Sequence, residues 1–403
     1  MDSISASERR RFLLIVCFGM FNVGMVFGST APLLVSISTW FSLRLGQVGL
    51  PVAIASLGAL ISNFFFSFVW SMNRARYLLS IFAIFSVAVL LTIPVFHPTF
   101  VIVLTLLFAM EFGRGFLNVA FDAVISEVFW QRRAKYLNLL HVFIGLGALV
   151  VPIIVGVIIA YVGKWYLAYL VLGLAGLPLP FLFIRRSLYS HVMQVHKEVA
   201  PQRKRRMAPM KNGAFWALMV VMFLGSGAQL AFASWSPVFL VKIHGASPAL
   251  ASYSVSVFWL AVMVMRIALS KLLRDADVRR FLTMVMIAAT GVTSLTFLMP
   301  GIVTMFALVA CSGVLLGVTY PASLALGANI FPRYVGLLTG FLSGSAAIGI
   351  LFCAWIIGPI SELIGLRIGV FVVPVFTLLA MVAVLRSHPT TGNERVSSPE
   401  AAS

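Results

Sequence analysis

The chain has 403 residues, of which 61% are hydrophobic and only 10% charged, and its mean hydropathy is +1.06. A soluble domain keeps about 25% of its residues charged, so a soluble fold that hides this much apolar surface is excluded, and so is general disorder away from the ends. The formal net charge of +18 leaves two readings, a basic face for nucleic acid or the cytoplasmic Lys/Arg excess of membrane proteins, and the placement of the charges decides between them.

The N-terminus reads MDSISASERRR and is followed by an apolar run over 12–37. A signal-peptide core is about 7–15 residues long, so this longer run reads as a first span that is kept. A helix needs about 20 mainly apolar residues to cross a bilayer. Runs of that kind lie at 12–37, 46–70, 77–94, 99–127, 136–161, 165–184, 213–241, 250–272, 280–299, 302–330, 335–359 and 367–386. None shows the short alternation of barrel strands, and an open sheet cannot satisfy its backbone in lipid. The expected fold is therefore all-α, with twelve transmembrane helices in two six-helix bundles. The bundles are 1–184 and 213–386, joined by a cytoplasmic linker at 185–212 and followed by a tail at 387–403.

With the N-terminus inside, only Arg44, Lys164, Lys242 and Arg367 of the 29 Lys and Arg fall in outer segments, and Arg114 and Arg266 fall within spans. All the others lie inside, so both termini are expected in the cytoplasm. Basic inner loops meet anionic lipid, which accounts for the net charge with no nucleic acid. The linker carries His191, His196 and the run Arg203-Lys204-Arg205-Arg206. A five-residue separation does not put the two histidines on one helix face, so a metal pair is not expected, and the segment reads as a solvated surface linker. Short charged turns follow the second span of each half, Asn73-Arg74-Ala75-Arg76 and Arg274 to Arg280, as parallel six-helix repeats require. Cys17, Cys311 and Cys353 all lie in apolar runs without metal-ligand spacing and read as small buried hydrophobes.

Ionisable residues at membrane depth cost about 2.5–3.5 kcal/mol each and are functional candidates by default. The fourth span holds Glu111, Arg114, Asn118 and Asp122, whose spacing puts all four on one helical face. That face is expected to border the bundle interior or a watery cavity. Glu111 and Arg114 can simply neutralise each other. Alternatively Arg114 attracts an anionic or hydroxyl-bearing substrate while Glu111 or Asp122 takes a proton, burial and a nearby Arg pulling the carboxyl in opposite directions. The fifth span opens with Asn138 and His141 on one face, His141 reading either as a packed, hydrogen-bonded residue or as a substrate or proton site. Gln229 and Trp235 lie in the seventh span with Pro237, and Tyr320-Pro321 and Asn329 in the tenth. Proline in a span permits a bend. The aromatic rings can stack on a sugar, pack, or anchor the interface. Gly336, Gly340 and Gly344 repeat a spacing that lets helices approach closely, for sliding or for static packing. Arg266 is expected to snorkel to the cytoplasmic interface or pair with Asp275 or Asp277.

The segment from Arg133 through Ala148, which includes Asn138 and His141, resembles the start of the fifth helix of the major facilitator superfamily. It is especially similar to the fucose/glucose–galactose proton symporter branch. Ser256-Val257-Phe258-Trp259-Leu260 through Arg266 resembles that branch's eighth helix, and Gly317-Val318-Thr319-Tyr320-Pro321 its tenth. The resemblance implies alternating access around one central site between two six-helix halves. Branch members commonly have an acidic residue in the fourth helix with Asn four positions later; here Asn118 and Asp122 stand the other way round. His141 stands where symporters of the branch often have Gln. The signature between helices two and three, Trp70 through Arg76, lacks its customary Asp. Gly147, Pro152 and Gly156 resemble an antiporter motif.

These readings converge on a proton-coupled secondary transporter of a small polar organic solute, sugar-like or carboxylate-bearing, acting as a monomer in a bacterial-type inner membrane. The alternative is a proton-driven exporter of amphipathic compounds. An integral-membrane enzyme is not expected, since no nucleophile–base or metal-ligand cluster is present. A receptor or scaffold would need a large outer domain or tail. No G-x-x-x-x-G-K-[ST] loop occurs, so ATP is not the direct energy source, and no cofactor is expected.

Overall fold

The structure is a computed structural model that describes residues 6–71, 74–96, 99–129, 133–184, 208–272 and 277–387. The linker residues His191, His196 and Arg203–Arg206, together with Asn73, Arg274, Asp275 and the tail beyond Ser387, lie outside the described residues. Among the described residues, twelve apolar helices or helix pairs are long enough to cross a membrane: Glu8–Trp40, Leu45–Val69, Ala75–Thr92, Phe100–Val128, Lys135–Tyr161, Leu167–Ile184, Gly213–His244, Pro248–Leu269, Val278–Leu298, Ile302–Ile330, Leu338–Ile364 and Leu366–Arg386. Large apolar side chains such as Phe64, Phe68, Val303 and Leu363 point outward, where lipid is the only compatible solvent.

Boundaries agree with the apolar runs to within a few residues. The eleventh span departs most, because its helix runs through Pro359 to Ile364 rather than stopping at the proline. Pro237 likewise sits inside the continuous helix Gly213–His244. The tenth span does break, into Ile302–Leu316 and Thr319–Ile330. The break falls at Gly317-Val318, one turn before Pro321, because a proline nitrogen offers no hydrogen to the carbonyl four residues earlier. The first span breaks between Ala6–Phe27 and Thr30–Trp40. Ser29 Oγ donates to Val26 O there at 2.7 Å, and Gly28 lies so close to the Ala148 backbone that a Cβ would strike it.

Within each half, small residues allow close crossings. Gly24 meets the Ile144 backbone, Gly58 that of Phe108, and Gly349 that of Phe223. An aromatic cluster wedges the second, third and fourth spans, with Phe82 stacked on Phe116 at 3.6 Å between centroids.

The two halves meet through the first, second and fifth spans on one side and the seventh, eighth and eleventh on the other. Gly46 N–H donates to Glu362 Oε2 at 2.9 Å, Ser252 Oγ to Pro32 O at 3.2 Å, and Ser256 Oγ to Leu149 O at 2.9 Å. Gly49 packs on the Ala354 and Trp355 backbone, and Gly358 on that of Leu45 and Gly46. These contacts cluster toward the end of the bundle remote from Ala6 and Arg386. None of these contacts lies at the other end, which carries the termini.

The glycine repeat of the eleventh span makes no close contact at Gly340 or Gly344 in this structure. A Cβ at Gly340 or Gly344 would meet nothing within 4 Å, and the side position of Gly336 lies outside the described residues. The close contacts of this helix are made instead by Gly349 and Gly358. Gly349→Leu should therefore lower the melting temperature in detergent by several degrees, an overpacking cost of about 1–3 kcal/mol. Gly344→Ala should leave it unchanged, as differential scanning fluorimetry would show.

Candidate functional site

The interface between the halves encloses a cavity of about 120 Å³. The first, second and fourth spans line it from one half with Phe27, Thr30, Ser56, Asn63, Glu111 and Arg114. The seventh and eleventh line it from the other with Leu230, Ser234, Ala347 and Ile350. The remaining lining is Ala, Val and Leu, so the polar groups are few and concentrated on the N-terminal half.

Glu111 and Arg114 sit one helical turn apart, and Arg114 Nε donates to Glu111 Oε2 at 2.5 Å. Side-chain exposure is 13% for Arg114 and 7% for Glu111. The guanidinium also lies over the Phe27 ring, 5.4 Å from its centroid, which adds a cation–π attraction in a desolvated setting. Behind the pair, Arg114 reaches a smaller pocket of about 30 Å³ inside the N-terminal half, with Asn22 and Ser86 on its wall. Ser86 Oγ is buried with no protein partner, and the space suffices for one water. Arg114 thus links the central cavity to a polar recess behind it.

The other two members of the fourth-span face do not line the cavity. Asn118 and Asp122 are half-buried, one and two turns nearer the end that carries the termini. Asp122 Oδ1 is buried with no hydrogen-bond partner, and the carboxylate interacts electrostatically with His141 of the fifth span. His141 is exposed, and its Nδ1 lies 3.0 Å from Leu137 O. A donating Nδ1–H leaves Nε2 as the nitrogen that accepts a proton. The side chain of Asn138 lies outside the described residues.

In the C-terminal half, Trp235 is fully buried and its Nε1 donates to Ala354 O at 2.9 Å, a contact between the seventh and eleventh spans away from the cavity wall. Gln229 is also buried, with Nε2 unpartnered. Tyr320 is half-buried and shares a 2.7 Å hydrogen bond with Ser343 Oγ. Its phenol interacts with both Arg266 and Asp122, so it stands between the halves. Asn329 is exposed, toward the end that carries the termini. The structure therefore brings Glu111 and Arg114 into the cavity, groups Asp122, His141 and Tyr320 nearer that end, and leaves Trp235 in a packing contact.

Several lining residues escaped the sequence reading. Thr30, Ser56 and Ser234 carry only small hydroxyls, which are common in any span. Asn63 had a usable signal, a lone amide followed by Phe64-Phe65-Phe66 in an otherwise apolar helix. Among the described residues Arg266 makes no ion pair with Asp277, which caps the ninth span by accepting from the backbone N–H groups of Arg279 and Arg280; Asp275 lies outside the described residues. Among the described residues, no cluster of His, Cys, Asp and Glu has metal-binding geometry.

Two helical halves around a central cavity with a buried ion pair define a multi-pass membrane transporter, and comparison with known proteins gives its family. The Major Facilitator Superfamily model matches residues 16–303, and the chain belongs to that superfamily. It is 23% identical over 345 residues to a TsgA homolog of Buchnera aphidicola subsp. Baizongia pistaciae, covering 85% of this chain and 86% of that one. It is 22% identical over 276 residues to the glucose/mannose transporter GlcP of Bacillus subtilis strain 168, covering 64% and 65%. Among solved structures, a D-xylose–proton symporter superposes with TM-score 0.72 at 14% identity, over 93% of this chain and 96% of that one. The chain is thus a transporter and not an enzyme.

Removing one partner of a buried ion pair leaves an uncompensated charge, at a cost of about 3–5 kcal/mol. Arg114→Leu is expected to lower thermal stability sharply, and the double variant Glu111→Gln/Arg114→Leu to recover most of the loss. Melting curves of the three proteins, single, double and parent, check this.

Proposed function

We propose that this chain is a proton-coupled secondary transporter of a small polar organic solute, sugar-like or carboxylate-bearing, working by alternating access in a bacterial-type inner membrane with both termini in the cytoplasm. The observation that carries the reading is the Glu111–Arg114 pair on the wall of a cavity shared by both halves. A charge pair kept at membrane depth is costly and marks a functional site by default. Arg114 receives the solute, with Asn118 and Asn138 on the approach. Asp122 and Glu111 exchange the proton, Asp122 because it is a half-buried carboxylate with one oxygen buried and unpartnered and His141 beside it.

Contacts at one end of the bundle and separation at the other support an inward-facing state in which the cavity is approached from the cytoplasm. His141, Tyr320 and Asn329 flank that approach. Gln229 and Trp235 shape the opposite wall from behind. The basic excess around the termini supports the orientation. The similarity to a glucose/mannose transporter and to a D-xylose–proton symporter supports a hydroxyl-bearing solute.

A second reading, proton-driven export of amphipathic compounds, draws on the mainly apolar remainder of the cavity wall, including Phe27, Leu60, Leu230 and Ile350. Proteoliposomes with an imposed proton gradient separate the two by the direction of solute flux. In the same vesicles, Asp122→Asn and Glu111→Gln should abolish gradient-driven accumulation while leaving solute exchange measurable. Unaltered proton-driven uptake in both variants would remove the proton role.

A further inference from the structure

The fifth and eighth spans are antiparallel neighbours from opposite halves, and their register can be followed along the contact. Gly156 packs against Tyr253, Leu149 O accepts from Ser256 Oγ, and Gly145 packs against the Met263 side chain. Continuing one turn toward the end that carries the termini places His141 opposite Arg266. Both residues are exposed there. The two basic side chains therefore stand at the apex of the opening, where the halves begin to part.

From this juxtaposition we infer that Arg266 and His141 form an anion-binding subsite that spans the two halves and takes a carboxylate group of the transported solute. Arg266 makes no ion pair among the described residues. On the eighth span it follows Trp259 and Met263 down the face turned to the N-terminal half, and Trp259 meets the cavity residue Phe27 edge-on at 5.2 Å. Asp122 of the fourth span lies beside His141 of the fifth. On the tenth, the nearby Tyr320 phenol is bonded to Ser343. Arg266 is the permanent positive charge at the opening. A planar guanidinium with free donors suits a carboxylate, which it can hold through two parallel hydrogen bonds. A solute carboxylate there neutralises the opening and touches both halves at once, so its presence bears on whether they close. Sugars without an acidic group leave the charge unmatched. This inference narrows the solute class within the proposed function and rests on that reading for its transport role, but the binding itself is tested without transport.

The test is thermal stabilisation of the purified full-length chain in detergent by acetate, lactate, succinate and benzoate, each paired with its neutral amide. At roughly 10 mM ligand, one or more of the carboxylates should raise the melting temperature of the parent protein while its amide does not. Arg266→Gln should weaken that carboxylate about 10–100-fold, as loss of a hydrogen bond to a charged group does. Arg266→Lys should retain part of the affinity, and Arg280→Gln, an exposed basic residue elsewhere, should retain all of it. If Arg266→Gln fails to fold, the intermediate affinity of Arg266→Lys and a weakened His141→Gln carry the same information. No stabilisation of the parent by any carboxylate, equal stabilisation of parent and Arg266→Gln, or equal loss in Arg280→Gln would overturn the inference. Carboxylate binding that persists while proton-driven uptake is absent would count against the coupling alone.

Discussion

A charged side chain at the middle of a bilayer must find a partner or water, and this requirement organises the molecule around the fourth span. Glu111 and Arg114 meet both conditions: they bond to each other, and they face a cavity closed by protein on both sides. Hydrocarbon offers neither. The pair can sit at this depth only because two bundles enclose it, and the bundles enclose a space rather than a core because the pair is there.

The enclosure is built from small residues. Within a half, glycines such as Gly24, Gly58 and Gly349 bring backbones into contact, as close packing in lipid demands when no hydrophobic drive exists between helices. Between halves, hydrogen bonds and glycine contacts gather at one end, while Gly340 and Gly344 look into open space at the other. The same helix thus carries tight and empty faces along its length. A surface that is empty in one state and smooth enough to be covered in another is what alternation between two packed arrangements requires.

Much of this was legible in the chain. Twelve spans, their bounds and the two-bundle plan follow from apolar runs of bilayer length, since lipid leaves the backbone few alternatives. The Glu111–Arg114 pairing follows from three-residue spacing alone. What the sequence could not supply is the partner across the interface. Nothing local says that Ser234 and Asn63 share a cavity, or that Trp235 spends its indole N–H on Ala354 O. Helical periodicity places residues on a face; only the packing of distant spans says what the face meets. The prolines show the same limit, because Pro321 breaks its helix and Pro237 and Pro359 do not.

The central claim is that the cavity beside Glu111 and Arg114 holds water and is reached from the end that carries the termini. Asn63 lines that cavity and is exposed to it. With the native cysteines replaced, Asn63→Cys can be probed with a membrane-impermeant thiol reagent applied to sealed vesicles of either orientation. Reaction from the face that carries the termini, and protection from the opposite face, is the predicted result. A thiol that stays unreactive from both faces, or reacts only from the other one, would contradict the account.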